Sequence, residues 1–165
     1  MTKIMRNELG SVEENRQFAD CEFFDTFFPT SFINCSFSDC VFDYAIFRGA
    51  SFNNCSFTNC SFVDTDFSGT SFPDCTFTGS DLSRAVLLYA VDDGVYFKNF
   101  FSEPFPYTLT RDTLRAGCEF HSAEDFLSFS TERIGEMHPS AVSSWARVKP
   151  SIQSLWESNS LLSFE

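Results

Sequence analysis

Positive charge is scarce in this chain: 11 Lys and Arg stand against 23 Asp and Glu, a formal net charge of −12 at pH 7. That balance excludes a general affinity for nucleic acid or anionic membrane, both of which require clustered cations. Histidine is nearly absent, with only His121 and His138, and neither lies near a G-x-S-x-G nucleophile motif. There is no glycine-rich phosphate loop and no H-E-x-x-H pair, so the chain reads as a non-enzyme with no cofactor. No apolar run approaches the roughly 18 residues of a membrane span, and the start, Met1-Thr2-Lys3-Ile4-Met5-Arg6, lacks the apolar core of a signal peptide. The seven Cys form no C-x-x-C pair, so free thiols in a reducing compartment are expected rather than a disulfide framework. Its 165 residues allow one compact domain, or a small domain with an appendage. A soluble, acidic, cytoplasmic protein is the expectation.

Phenylalanine, by contrast, is abundant: 23 residues against four Tyr and two Trp. It recurs every five residues at Phe37, Phe42, Phe47, Phe52, Phe57, Phe62, Phe67, Phe72 and Phe77, and Leu82 and Leu87 continue the series. Two residues before each stands a small side chain, as in Cys35, Cys40, Ala45, Ala50, Cys55, Cys60, Thr65 and Thr70. Cut in this phase, Arg16 to Tyr89 makes fifteen units, one of them shortened to four residues at Thr26–Pro29. A period of five suits neither helix nor strand, since it would scatter the Phe around a helix and alternate them across a strand. The chain must turn once per unit, and Gly, Asn, Asp and Ser crowd the two positions after each Phe.

A second period of twenty sets four units per coil. Cys35, Cys55 and Cys75 fall in one column, Cys40, Cys60 and Ser80 in another, while Cys21 precedes Cys40 by nineteen because of the short unit. These residues resemble the pentapeptide-repeat family. The resemblance implies an all-β solenoid, a right-handed quadrilateral β-helix filled by the central Phe or Leu and the preceding small residue. At the ~4.8 Å spacing of hydrogen-bonded strands, nearly four coils should stand about 18 Å tall. The Cys columns are read as packing, not as a metal site, because a buried Cys serves as a small hydrophobe.

Residues 1–15 are polar and are expected to form a cap or lead-in, 16–91 the β-helix, and 92–165 a loop followed by a mainly α-helical tail. Asp92-Asp93-Gly94 reads as a turn, and Val95-Tyr96-Phe97 as a last strand-like piece. Pro104 and Pro106 mark a loop through Ser102–Tyr107. Ser122 with Asp125 fits a capping box, Ser130 begins a second helix ending near Met137, and a third begins around Pro139. The stripe Val142, Trp145, Val148, Ile152, Leu155 and Trp156 is expected either to cap the coil stack or to join two copies in a homodimer. The run Gly117-Cys118-Glu119-Phe120-His121-Ser122, with Phe129-Ser130, Ile134, Met137, Ala141, Trp145 and Lys149-Pro150, resembles tails of short pentapeptide-repeat proteins from bacteriophages and prophages. Cys118 and His121 alone make a weak metal pair, and a local structural role is expected for them.

Assigning units to sides places Glu22, Asp25, Asp43, Asp64 and Asp81 on one face, with Arg84 as the opposing charge. That clustering supports an acidic stripe that occupies the Lys/Arg groove of a DNA-binding protein. Some members of the resembled family are DNA mimics that bind type II topoisomerases, and the phage-like tail makes a CRISPR effector an equal candidate. The alternative function is a binding module whose contacts lie in the helical tail. No direct contact with nucleic acid or membrane is expected.

Overall fold

The computed structural model describes residues 1–165 apart from 6–7, 24–26, 29, 81, 83, 93–95, 103–104, 111, 118, 159–160 and 162–165. The chain divides into two compact units, Met1–Asp93 and Gly94–Ser163.

The repeat of the first unit closes into a β-solenoid of about four turns. A pentad leaves room for at most three extended residues before each corner, so the strands are short. In chain order they are β1 (Thr2–Ile4), β2 (Val12–Glu14), β3 (Gln17–Ala19), β4 (Cys21–Phe23), β5 (Ser31–Ile33), β6 (Ser36–Ser38), β7 (Ser51–Asn53), β8 (Ser56–Thr58), β9 (Ser71–Phe72), β10 (Thr76–Thr78) and β11 (Val91–Asp92). They stack in parallel on four sides. Side one has the order β11-β9-β7-β5-β2, and side two β10-β8-β6-β3. Side three begins with β1 on β4 and continues through single bridges from Glu22 to Val41 and on to Ser61. Side four is a chain of bridges from Phe27 to Ile46, Asp66 and Val86. The register steps by twenty, as Ser36 pairs with Ser56, and by nineteen across the four-residue unit, as Gln17 pairs with Ser36.

The interior follows from that register. Phe37 stacks on Phe57 at 4.9 Å between ring centroids, Phe57 on Phe77 at 4.8 Å, and rings on adjacent sides meet edge to face, as Phe32 meets Phe37 at 5.4 Å. Both geometries are favoured by the ring quadrupole, and each buried ring contributes about 2–3 kcal/mol of transfer free energy. The small residues share one hydrogen bond, which explains why Cys and Thr exchange in the same role. Thr65 Oγ1 donates to the Phe42 carbonyl at 2.7 Å and Thr70 Oγ1 to that of Phe47 at 2.7 Å, while Cys40 Sγ reaches the Phe18 carbonyl at 3.4 Å. Each such donor lies one coil beyond its acceptor.

Corners require the left-handed backbone region. Asn15, Asp20, Asn34, Asp39, Asn54, Asn59, Asp64 and Asp74 occupy it, with Gly49, Gly69 and Gly79. Asn, Asp and Gly tolerate that region best. Tyr44 (φ 61°) and Tyr89 (φ 58°) are the exceptions within the solenoid among the described residues.

Residues 1–15, expected to form a cap or lead-in, contribute two strands to the stack. Thr2–Ile4 pairs with Cys21–Phe23, and Val12–Glu14 with Ser31–Ile33. The coil therefore starts earlier, with Glu13 paired with Phe32 at a core position and buried. Its carboxylate accepts from the Gly10 N–H at 2.6 Å and pairs with Arg16 at 2.5 Å. The Arg16 guanidinium in turn lies 4.9 Å from the centroid of the Phe18 ring, the first of the side-two stack. A buried charge held in this way ends the Phe column of side one with satisfied polar groups.

The second unit holds an antiparallel sheet that the sequence reading did not anticipate: β12 (Phe97–Ser102), β13 (Phe105–Thr110), β14 (Thr113–Ala116) and β15 (Glu119–Ser122), in that order. The loop expected through Ser102–Tyr107 is corrected, since Ser102 ends β12 and Phe105–Tyr107 begins β13. Pro106 is tolerated there near the start of its strand, where its carbonyl accepts from the Gly117 N–H. Pro104 and the turn Asp93-Gly94 with Val95 lie outside the described residues. Helices α1 (Ala123–Ser128), α2 (Thr131–Met137) and α3 (Ala141–Glu157) follow. Ser122 Oγ accepts from the Asp125 N–H at 3.0 Å and Ser130 Oγ from that of Arg133 at 3.2 Å, the N-caps read from the sequence.

Candidate functional site

Net charge is concentrated in the solenoid. Met1–Asp93 carries 14 acidic and five basic residues, whereas Gly94–Ser163 carries eight and six. The functional surface must therefore be sought first on the outside of the coils, where the residues on either side of each buried Phe point.

The structure treats the five residues of the expected acidic stripe unequally. Asp25 and Asp81 lie outside the described residues. Glu22 on side three faces Lys3 at 3.9 Å, and Asp64 at the following corner faces Arg84 at 3.7 Å. Asp43 is tied into the fold, its Oδ1 accepting from Ser61 Oγ at 2.6 Å and from the Val63 N–H at 2.9 Å. These contacts join one coil to the next, so the Asp43 carboxylate is a structural acceptor as well as a surface charge. On side four Asp66 is still more engaged. It holds Arg48 Nε at 2.6 Å and accepts from the Ser68 N–H at 2.9 Å. Burial acts to raise its pKa, but Ser68 and Arg48 outweigh that and hold the carboxyl below the usual range. Asp20 and Asp39 stand exposed at successive corners between sides two and three, Asp20 beside the terminal ammonium at 2.9 Å and Asp39 accepting from Asn59 Nδ2 at 3.3 Å.

Side four carries apolar groups outward. Phe27 and Ile46 are adjacent in its bridge column, Val86 closes the column, and Leu88 stands on the same side. Tyr44 and Tyr89, at the two corners that border this side, are 67% and 59% exposed. Tyrosines at these turn positions were visible in the pentads CVFDY and AVLLY and were not singled out from the sequence.

Among the described residues Cys21, Cys35, Cys40, Cys55 and Cys60 are buried and Cys75 is half-buried, and each Sγ lies against a backbone carbonyl. Burial pushes the thiols of Cys21 and Cys35 up, and hydrogen bonding with Cys60 together with burial does the same for Cys40, while hydrogen bonding with Cys75 holds Cys55 down and hydrogen bonding with Cys40 holds Cys60 down. No group of three or more His, Cys, Asp or Glu able to hold a metal ion occurs among the described residues. Cys118 lies outside them, and His121 Nε2 is 2.9 Å from Glu119 Oε2, with its ring against Phe126 and Phe129.

The six apolar residues assigned to capping or dimer contacts mostly face inward within the second unit. Trp145, Val148 and Ile152 are buried in a core with Tyr107, Leu109, Leu114, Phe126 and Ile134, while Val142, Leu155 and Trp156 pack against it. Ser144 is buried beside them and accepts a hydrogen bond from the Tyr107 hydroxyl at 3.0 Å. No helix among the described residues is long and apolar enough to cross a membrane.

Four parallel-stacked sides, a Phe interior and a turn every fifth residue define a class. The solenoid of this chain is a pentapeptide-repeat β-helix, and residues 42–86 match the family model described as pentapeptide repeats, over nine copies. The chain is similar to the trypsin-treated structure of QnrB1, a plasmid-mediated fluoroquinolone resistance protein, with 28% identity and a TM-score of 0.51 over 55% of this chain and 49% of that one. It is also similar to the pentapeptide repeat protein Rfr23 from the cyanobacterium Cyanothece 51142, with 14% identity and a TM-score of 0.48 over 56% of this chain and 60% of that one. The chain thus spans about half of the one and three fifths of the other. No curated protein matches it in sequence.

Proposed function

We propose that this protein works without catalysis, as an acidic binding protein that competes with DNA for the groove of a DNA-handling enzyme, a type II topoisomerase in the first instance. The observation that carries this reading is the concentration of acid in a rigid coil stack, 14 acidic residues against five basic ones in Met1–Asp93. B-DNA presents about one negative charge per 1.7 Å of axis, so a stack of comparable charge density is an electrostatic substitute for a short length of duplex. The likeness to a fluoroquinolone resistance protein is what favours a topoisomerase over a CRISPR effector as the first target. The exposed corner acids Asp20 and Asp39 belong to the charged surface together with Glu22, Asp43 and Asp64.

The test is competition. Purified bacterial DNA gyrase is titrated with the protein while binding to a labelled duplex is followed, at low and moderate salt. The expected result is displacement of DNA that weakens as salt rises and is lost when Asp20, Asp39 and Asp64 are changed to Asn. Gyrase binding to DNA that is indifferent to the protein at low salt sinks the topoisomerase target. The tail reading is not favoured, since Trp145, Val148 and Ile152 are committed to the core of their own unit.

A further inference from the structure

We infer that side four of the solenoid, framed by Tyr44 and Tyr89, is the surface on which a protein partner docks, and that this partner presents an apolar centre within a cationic rim. The inference rests on the reading of the coil stack as a binding surface, and it names a different part of that stack from the acidic face.

Two independent observations point there. The first is backbone strain. Within the solenoid, the described left-handed corners are filled by Asn, Asp or Gly, except at residues 44 and 89. A Cβ-bearing aromatic residue in that region is a costly choice for folding, and such outliers cluster at functional sites. Neither ring contributes to the Phe interior, because both are more than half exposed. Tyrosine is the residue type enriched at the energetic centres of interfaces, where it offers a large contact area with few rotamers to freeze.

The second observation is the company these tyrosines keep. They border the one side whose bridge column brings Phe27 (44% exposed) beside Ile46 (37% exposed), with half-buried Val86 and Leu88 at its far end. The charges in the middle of the patch, Arg48 and Asp66, neutralise one another at 2.6 Å. Side four is thus an apolar, locally neutral strip on a unit whose acids outnumber its bases by nine.

Charge selects the occupant. A second copy would bring an equally acidic solenoid against this one, and the two would repel. A cationic protein surface gains from the same field, while an apolar centre on it covers the strip. Docking of this kind separates the two contributions: the acids speed and orient the encounter, and the tyrosines hold the complex together.

The experiment uses the full chain with a photo-cross-linking amino acid, p-benzoylphenylalanine, in place of Tyr44, Tyr89 or, on side two, Thr58. Each variant is irradiated in a bacterial lysate and the adducts are identified by mass. The partner so identified is purified, and its affinity is measured for the wild type and for the Tyr44→Asn/Tyr89→Asn variant. Asn suits a left-handed corner, so this variant should melt at or above the wild-type temperature.

The expected result is one basic protein joined through residues 44 and 89 and not through 58, with affinity falling at least tenfold in the double variant. Adducts formed equally through residue 58, adducts with a second copy of this chain or with an acidic protein, no adduct at all, or unchanged affinity in the double variant each overturn the proposal. If the partner joined through side four does not handle DNA, the DNA-mimic reading falls while this surface stands. If gyrase is displaced from DNA but side four yields no adduct, the reverse holds.

Discussion

The central ring of the side-one column, Phe52, gives the sharpest test of how this fold is held together. It is fully buried, stacked on Phe32 at 4.8 Å and on Phe72 at 5.4 Å. It also meets Phe37, Phe47, Phe57 and Phe67 at 6.1, 5.5, 5.4 and 6.0 Å. Phe18, at the N-terminal end of the side-two column, meets Phe37 face to face at 5.0 Å and Phe23 and Phe32 edge on, with Arg16 above it. Truncation of a buried Phe to Ala costs about 3–5 kcal/mol, more where the surroundings cannot collapse. A ring pinned from both adjacent coils cannot be replaced by relaxation, whereas an end position can close partly over the gap. Phe52→Ala should therefore cost about 5 kcal/mol and Phe18→Ala about 3 kcal/mol. Leu82 and Leu87 already fill the equivalent place in the last coil, so Phe52→Leu should cost only about 1 kcal/mol. Urea unfolding followed by far-ultraviolet circular dichroism gives these differences from the midpoints, provided the slope is unchanged. Equal losses at the two positions, or a loss below about 2 kcal/mol at Phe52, would refute the idea that stacking between coils dominates stability.

Two other outcomes follow from the same contacts. Glu13 is buried, and burial alone would raise its pKa, but the Gly10 N–H and the Arg16 guanidinium hold its carboxyl below the usual range, as Ser68 and Arg48 do for Asp66. A carboxylate depressed in the folded state adds stability above its unfolded pKa and loses it as pH falls through the folded one. Stability should therefore drop below about pH 4, and Glu13→Gln should flatten that drop while costing about 2 kcal/mol at pH 7, as read from melts across the acid range. At the corners, Gly49→Ala meets nothing within 4 Å and should cost about 1 kcal/mol for its positive φ alone. Gly79→Ala brings a Cβ to 2.5 Å from Asn59 Oδ1 and must also disturb the bond from Asn59 to Asp39, so it should cost about 1 kcal/mol more. Equal melting temperatures for the two variants would remove the clash from the account.

The period of five made the coil legible because one rule, a buried Phe with a small neighbour, is repeated without a helix or strand alternative. It failed where the rule was kept in position but broken in chemistry. Ser11–Asn15 is in phase with Phe18, yet its centre is Glu13, and a carboxylate at a core position looks like the end of the pattern until Gly10 and Arg16 are seen to satisfy it. The sheet of the second unit was hidden for a different reason. Its first two strands run six residues each, but one carries Pro106, and their pairing depends on residues brought together by turns rather than on a run of alternating side chains. The N-caps at Ser122 and Ser130 were readable because a cap is local, with donor and acceptor three residues apart. The same distinction governs the surface. Column addresses follow from counting, but which acids are engaged depends on neighbours about one coil away: Asp43 on Ser61 and Val63, Asp66 on Arg48. Counting acids along a face therefore overstates the free charge that face presents, whereas the two tyrosine corners stand out only once the backbone places them in the left-handed region that Asn, Asp or Gly fill elsewhere in the solenoid.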